Sequence, residues 1–242
     1  MSTPFLLTQT KLFSQNLQAL PLKKLLINTI NANCFNMAQK DKVLADALNK
    51  SDILLPDGIS VVLALNLLTG RKLKKIAGED LFFYEMNRLN ITGGSCFFLG
   101  SSESTLKRIL DRSAIDFPKV KVQKYSPPFK PEFSLEDNAH MVKSVNTFKP
   151  DVLFIGLTAP KQEKWAFLHF DALEAGHICC IGAVFDFYAG NIKRAPQWMI
   201  FLGLEWFYRL IKEPHRMWRR YLIGNTKFVW LVIKEKFMRS KT

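Results

Sequence analysis

The sequence predicts an α/β fold, in which a mostly parallel, Rossmann-like sheet is flanked by helices and followed by a C-terminal helical appendage. Short apolar runs, such as VLFI at 152–155, alternate with amphipathic helical stretches, such as 135–148. This alternation is typical of β-α-β units, whose helices cover a parallel sheet. Strand-like runs stop after Pro196, and only helical, basic and aromatic sequence follows. We therefore predict a core at residues 1–196 and an appendage at residues 197–242.

Six strands and the helices between them make up the predicted core. The predicted strands are 24–29, 53–55, 96–99, 120–125, 152–155 and 178–184, and the predicted helices are 33–49, 59–68, 81–89, 103–115, 135–148 and 161–173. For residues 1–20 we predict only a short helix or a hairpin.

The charge is strongly basic and unevenly distributed. The formal net charge is +13, and after Trp206 ten Lys and Arg residues face only two Glu residues, which places +8 in the final segment. Such an excess indicates an anionic partner, which is nucleic acid, anionic lipid or a phosphate-rich substrate. With 48% hydrophobic and 23% charged residues, the chain belongs with folded globular proteins.

Several familiar chemistries lack their motifs in this chain. The four cysteines have no metal-like spacing, so we interpret them as core residues in a reducing compartment. The histidines are scattered, and we interpret them as non-catalytic. The sequence contains no D-x-D, G-x-G-x-x-G, Walker or G-x-S-x-G motif. We expect no secretory signal, and the apolar run 228–233 is too short to cross a bilayer.

Polar residues follow the predicted strands where the ligand site of an open α/β sheet is expected. They are Thr29, Asn31, Asp57, Gly100, Ser101, Thr158 to Glu163, and Asp186. Asp57 lies between Pro56 and Gly58 at a strand-to-helix turn, where apolar neighbours can raise the pKa of a general base. The alternative for Asp57 is a helix N-cap.

Other candidates could bind phosphate or hydroxyl groups, but each has a structural alternative. Lys161 and Gln162 fall in the first turn of a predicted helix, where N–H groups attract phosphate, although Pro160 there is also common for structural reasons. Gly100 could serve likewise, or belong to a helix cap. Asp186 could hold a sugar hydroxyl or stabilise the turn at Gly190, and Arg194 could neutralise a diphosphate or be solvated.

The appendage carries an apolar face beside a cationic one. Met217, Tyr221, Phe228 and Val232 share one helical face, and Arg216, Arg220, Lys227 and Lys234 share another. This pattern describes a helix lying in a membrane interface, and the alternative is a helix packed on the core.

The motifs resemble those of the WecG/TagA/CpsF glycosyltransferases, or glycosyltransferase family 26. They are Thr29-x-Asn31, Pro56-Asp57-Gly58, Ala77-Gly78-Glu79-Asp80, Pro160-Lys161-Gln162-Glu163, FDFYAG at 185–190, KRAP at 193–196 and GLEWFYRL at 203–210. The resemblance covers residues 27–221 in order. One departure is Lys75, at a position where the family usually has Arg. Lysine lacks the planar, two-pronged donor with which arginine binds phosphate.

The resemblance implies an inverting, metal-independent hexosyltransferase without a cofactor. It would move an N-acetylmannosamine-type hexose from a UDP-sugar to a polyprenyl-diphosphate-linked sugar, in synthesis of bacterial cell-surface polysaccharide or teichoic acid. Asp57 would be the base, with Thr29, Asn31 and Gln162 lining the site. Arg209, Arg216 and Arg219 would close the site over the diphosphate.

The implied enzyme would be cytoplasmic and peripheral on the inner face of the cell membrane, where its acceptor lies. Its partners would be the two substrates and an anionic membrane surface but no nucleic acid, and homo-oligomerisation stays open. The rival interpretation is a basic membrane-surface or nucleic-acid-binding protein with a degenerate, non-catalytic site. The rival is disfavoured because the cations lie on an aromatic tail and because Asp57, Gln162 and the Lys/Arg set are present.

Overall fold

A computed structural model describes residues 5–239, except for the side chains of Arg216 and Arg239. Six strands form one sheet in the order β2-β1-β6-β5-β3-β4, and every neighbouring pair is parallel. The strands are β1 (Leu25–Ile30), β2 (Ile53–Pro56), β3 (Ser95–Gly100), β4 (Lys121–Tyr125), β5 (Val152–Gly156) and β6 (His177–Cys180). The predicted fold class is therefore confirmed, and all six predicted strands are present.

Helices cover both faces of this sheet. They are α1 (Ala32–Ala38), α2 (Lys42–Asn49), α3 (Ile59–Thr69), α4 (Gly78–Thr92), α5 (Glu103–Asp116), α6 (Leu135–Phe148), α7 (Lys161–His169), α8 (Val184–Tyr188), α9 (Gln197–Phe201), α10 (Glu205–Lys212), α11 (Pro214–Trp218) and α12 (Gly224–Arg239). Two 3₁₀ turns, Leu7–Gln9 and Leu17–Ala19, replace the helix or hairpin predicted near the N-terminus, and residues 1–4 lie outside the described part.

The central strands are apolar on both sides, so each face of the sheet has its own core. Phe98 and Phe154 stack on one face with ring centroids 5.3 Å apart. Phe97 and Leu153 belong to the cluster on the other face, against α6 and α7. Burial on both faces is typical of parallel sheets, and because all six strands run in the same direction their carboxyl ends lie at one edge.

Several predicted element boundaries were wrong, and the helix predicted at 161–173, for example, ends at His169. The single helix predicted at 33–49 is two helices, because Asp41 caps α2 by accepting a hydrogen bond from Leu44 N at 3.1 Å. The strand predicted to reach Val184 ends at Cys180, since Gly182 turns the chain with φ at +51°. Asp186 therefore lies within α8 and not at a strand end.

The C-terminal segment is a chain of short helices ending in one long helix. Gly203, with φ at +73°, separates α9 from α10, Pro214 begins α11, and a π-helical turn at Arg219–Ile223 leads into α12. No helix within residues 5–239 has the length and apolar character needed to cross a bilayer.

The apolar face predicted to meet a membrane is packed on the core instead. Met217, Phe228 and Val232 are buried, and Phe228 meets Phe35 of α1 edge to face at 5.4 Å. A helix cannot present the same side chains to lipid and to α1, so for this face the packed alternative is the correct one. The division into units at residue 196 stays a prediction.

Candidate functional site

A cleft of about 350 Å³ opens above the carboxyl ends of β1, β2, β5 and β6. Its size lies within the range of about 300–1,000 Å³ usual for small-molecule sites. The body contributes Thr29, Asn31, Asp57, Glu79, Gln162, Glu163 and Asp186, and the C-terminal segment contributes Glu205, Trp206, Arg209, Arg220 and Tyr221. Eight of the twelve predicted site residues line this cleft: Asp57, Thr29, Asn31, Lys75, Gln162, Asp186, Arg194 and Arg209.

Asp57 lies directly after β2, and its backbone N–H donates to the Ile30 carbonyl of β1 at 3.0 Å. It does not cap α3, whose N-cap position is taken by Gly58. The carboxyl group is half-buried among protein atoms at the cleft. This burial raises the pKa of Asp57 to about 6, against the opposing charge of Lys75. A carboxyl with this pKa is suited to act as a general base near neutral pH.

Lys75 and Arg194, whose charges act on Asp57, form ion pairs with neighbouring glutamates. Lys75 Nζ lies 3.2 Å from Glu205 Oε2, and Arg194 pairs with both Glu79 and Glu205. Burial opposes ionisation of Glu205, but the two cations outweigh it and lower the pKa of this carboxyl. The pairs join α10 to the loop before α4, so the C-terminal segment forms one wall of the site.

Gln162 and Glu163 form a buried pair on α7. Gln162 Nε2 donates to Glu163 Oε1 at 2.9 Å. Gln162 Oε1 and Glu163 Oε2 are buried without a hydrogen-bond partner among the described residues. Burial raises the pKa of Glu163, and the hydrogen bond from Gln162 opposes this rise.

Thr29 and Asn31 form the floor of the cleft at the end of β1. Thr29 is buried in the strand, and Asn31 caps α1 by accepting a hydrogen bond from Cys34 N at 3.0 Å. On the opposite side, Asp186 Oδ1 accepts from Asn191 Nδ2 at 3.2 Å, while its backbone carbonyl accepts from Asn191 N. Asp186 therefore stabilises the turn at Gly190 and also lines the cleft.

Two arginines of the C-terminal segment reach the cleft. Arg209 lies over the Phe187 ring at 5.6 Å, and Arg220 lies over the Tyr221 ring at 5.7 Å. The Nε atoms of both are buried without a hydrogen-bond partner among the described residues. Trp206 meets Tyr221 edge to face at 6.1 Å, which holds α10 against the π-helical turn.

Three predicted site residues are not brought to the cleft, and the prediction for a fourth is untested. Lys161 donates to the Lys130 carbonyl and lies 4.4 Å from the Phe133 ring, because α7 turns this side chain away. Gly100 ends β3 beside Gly156 of β5, where an added Cβ would meet the Gly156 carbonyl oxygen at 2.6 Å. Arg219 lies over the Trp218 ring at 5.2 Å, and the Arg216 side chain lies outside the described residues.

Several residues that line the cleft are not among the predicted site residues. Glu79 and Glu163 stood inside the motifs without an assigned role, and Glu205 stood within GLEW. The sequence predicts Arg220 on the cationic membrane face and its neighbour Arg219 in the site. A one-residue error rotates a helical side chain by roughly 100°, so the π-helical turn decides which arginine faces inward.

Among the cysteines and histidines of the described part, only Cys34 is one of the residues that line the cleft. All four cysteines are free and buried, in agreement with the prediction that they are core residues. His177 binds Glu85 at 2.6 Å, away from the cleft, and Glu85 raises the pKa of His177 against the effect of burial. Among the described residues, no three His, Cys, Asp or Glu side chains form a group suited to a metal ion.

Comparisons with known proteins agree with the resemblance. The model of the Glycosyl transferase WecG/TagA/CpsF family matches residues 5–242. A Bacillus subtilis (strain 168) protein is 33% identical over 210 residues, which are 87% of this chain and 79% of the relative. A Bacillus spizizenii protein is 32% identical over 80% of this chain and 73% of its own. A Staphylococcus aureus (strain MW2) protein is 27% identical over 88% of this chain and 81% of its own.

All three relatives carry the same name, N-acetylglucosaminyldiphosphoundecaprenol N-acetyl-beta-D-mannosaminyltransferase. The family match covers the cleft and the C-terminal segment alike.

Proposed function

This chain belongs to the WecG/TagA/CpsF family of glycosyltransferases, and we propose that it transfers an N-acetylmannosamine-type hexose from a UDP-sugar to polyprenyl-diphosphate-linked N-acetylglucosamine. The acceptor follows the names of the relatives. The product would serve bacterial cell-surface polysaccharide or teichoic acid synthesis. The observation that carries the proposal is Asp57, a half-buried carboxyl of raised pKa in a cleft that also holds Lys75, Arg194, Arg209 and Arg220.

The reaction is a single displacement at the anomeric carbon. Asp57 removes the proton from the acceptor hydroxyl while its oxygen forms the new bond to the anomeric carbon. The bond from that carbon to the UDP oxygen breaks, and the electron pair leaves with UDP. Attack opposite the leaving group inverts the anomeric configuration, and the proton stays on Asp57 until solvent takes it.

Fixed cations stabilise the departing diphosphate. Arg209 and Arg220 bring guanidinium groups to the cleft from the C-terminal segment, and Lys75 and Arg194 bring charges from the body. Donors held in place before reaction act strongly in a site that excludes water. We propose that these cations make a divalent ion unnecessary, and unchanged turnover in EDTA would support this.

The C-terminal segment also binds the membrane that carries the acceptor. Trp230, Ile233 and Phe237 of α12 are exposed on the side opposite the packed Phe228 and Val232. Basic residues in the same segment favour an anionic leaflet by roughly 1 kcal/mol each. This membrane face differs from the one that the sequence predicts, and we place the enzyme at the cytoplasmic face.

The test is UDP release from a panel of UDP-sugars with a short polyprenyl-diphosphate N-acetylglucosamine acceptor. The wild-type protein should release UDP only with donor and acceptor together. Asp57→Asn should lower turnover by about 100-fold or more, as expected for loss of a general base. It should keep UDP binding, and Asp111→Asn at an exposed ion pair is the matched control. Near-normal turnover in Asp57→Asn would refute the role of the base.

A further inference from the structure

The cleft collects buried polar atoms that have no partner within the described residues. Gln162 Oε1, Glu163 Oε2, Arg209 Nε and Arg220 Nε are four such atoms, and all belong to residues that line it. Leaving a buried polar group unpaired destabilises a protein, so such groups in native proteins are usually completed by water or a ligand. Their concentration in one cleft indicates that a bound molecule completes them.

Hydrogen-bond acceptors and donors among these four atoms lie on different walls of the cleft. The two acceptors lie on α7 of the body, and the two donors lie on the C-terminal segment. A ligand that satisfies both sets needs hydroxyl or amide N–H groups at one end and anionic oxygens at the other. A sugar linked to a diphosphate has this polarity.

Glu163 is the member of this set without an assigned role. It is 2% exposed, and its Oε1 is already occupied by the amide of Gln162 at 2.9 Å. That bond fixes the Gln162 amide with Nε2 toward Glu163, which leaves Oε1 as a second acceptor. Gly182 lies against this amide, where an added Cβ would be 3.3 Å from Gln162 Oε1. The pair is therefore held rigidly at the cleft.

We propose that Glu163 is a specificity-determining residue whose Oε2 accepts a hydrogen bond from a hydroxyl or amide N–H of the transferred sugar. Gln162 Oε1 accepts a second hydrogen bond from the same sugar, and Arg209 and Arg220 face its diphosphate. The inference rests on the proposed function and deepens it, because it assigns the sugar to the α7 wall.

The first test measures binding of UDP and of UDP-N-acetylmannosamine by calorimetry. Glu163→Gln keeps the size of the side chain and a carbonyl oxygen for the Gln162 amide, but turns the Oε2 position into a donor. The variant should bind UDP-N-acetylmannosamine about 10- to 100-fold more weakly than wild type, as expected for a lost hydrogen bond to a charged group. UDP alone, which lacks the transferred sugar, should bind the variant as tightly as it binds wild type. Glu174→Gln, at an exposed pair with Lys149, is the matched control.

The second test needs no variant and therefore does not depend on folding of Glu163→Gln. Wild-type protein is titrated with UDP-sugars that lack one hydroxyl, or whose acetamido N–H is replaced by an ester oxygen. At least one such analogue should bind about 10-fold or more weakly. If the wild type tolerates every deletion, the inference is overturned.

The outcomes separate this inference from the proposed function. If Glu163→Gln weakens the binding of UDP and of the UDP-sugar equally, or leaves both unchanged, the contact between Glu163 and the sugar is refuted while the transferase function stands. If wild-type protein binds no UDP-sugar at all, the proposed donor fails, and the inference falls with it.

Discussion

Glu235 and Thr8 are separated by 227 residues, yet the Glu235 carboxylate accepts hydrogen bonds from the Thr8 backbone N–H at 2.9 Å and from its hydroxyl at 2.6 Å. The second carboxylate oxygen accepts from Leu7 N at 3.0 Å. Glu235 belongs to the buried side of α12, so these bonds join the last helix to the first described turn of the chain. Asn36 of α1 adds a hydrogen bond to the Gly224 carbonyl at 2.7 Å.

Glu235→Gln should destabilise the protein, because an amide nitrogen would face an N–H group that now donates to a carboxylate. Loss of a buried charge-assisted hydrogen bond costs about 1.5–3 kcal/mol. Thermal unfolding should show a lower Tm, and protection of α12 from hydrogen exchange should fall. Lys236→Gln, at the exposed neighbouring position, is the control and should leave both unchanged. Equal Tm values for the two variants would contradict the role of Glu235.

Transfer should depend on the ionisation of Asp57. Because burial raises its pKa to about 6, kcat/KM should be flat above pH 7 and fall about tenfold per pH unit well below 6. A pH–rate profile with saturating acceptor checks this directly. An inflection near pH 4, the ordinary range of an aspartate, would show that the pKa of Asp57 is not raised in the working enzyme.

Asp57→Asn should be more stable than wild type at neutral pH. The unfolded chain ionises this group near its ordinary pKa of 3.8 and the folded chain near 6, so ionisation favours unfolding between these values. The penalty is complete above pH 6 and absent below about 3.8. Its removal should add about 1–3 kcal/mol at pH 7.5, a few degrees in Tm. A gain that persists unchanged at pH 3.5 would assign it to another cause.

Arg220 and Arg219 should differ sharply in their effect on donor binding. Arg220 lines the cleft, whereas Arg219 lies over the exposed Trp218 ring. Arg220→Gln should raise the donor KM or lower kcat by about 10- to 100-fold, because a charge-assisted contact to diphosphate is lost. Arg219→Gln is the matched control and should remain within about twofold of wild type. Steady-state kinetics with a UDP-sugar measures both effects. If Arg219→Gln were the impaired variant, Arg219 and not Arg220 would be the diphosphate contact.

Membrane binding should depend on the outer side of α12. Replacing Trp230, Ile233 and Phe237 together by Ser should lower partitioning to anionic liposomes by about tenfold or more, since these exposed side chains are the proposed apolar contact. Ile91→Ser with Ile115→Ser alters comparably exposed apolar residues on the body and is the control. Flotation assays would count against this surface if both variants bound equally. Preferential retention on DNA at equal salt would favour the nucleic-acid-binding alternative.

The local pattern of the sequence was sufficient for the fold and for the position of Asp57. Apolar runs and helical periodicity are properties of neighbouring residues, and parallel strands necessarily bring their carboxyl ends to one edge. Thr29, Asn31 and Asp57 follow strands β1 and β2, so their meeting could be predicted without coordinates. The boundary at Gly182 was harder, because a positive φ at a single glycine ended a strand that its apolar sequence would have continued.

What the sequence determined by itself was therefore the sheet, its ligand-binding edge and the family to which the chain belongs. Only the tertiary structure decided that Arg220 reaches the cleft in place of Arg219, and that Glu163 keeps an unpaired oxygen there. It also decided which face of α12 is buried. The physical reason is that helical phase at a π-helical turn, burial and long-range partners such as Glu235 and Thr8 arise from packing between distant segments. Periodicity along the chain describes only near neighbours.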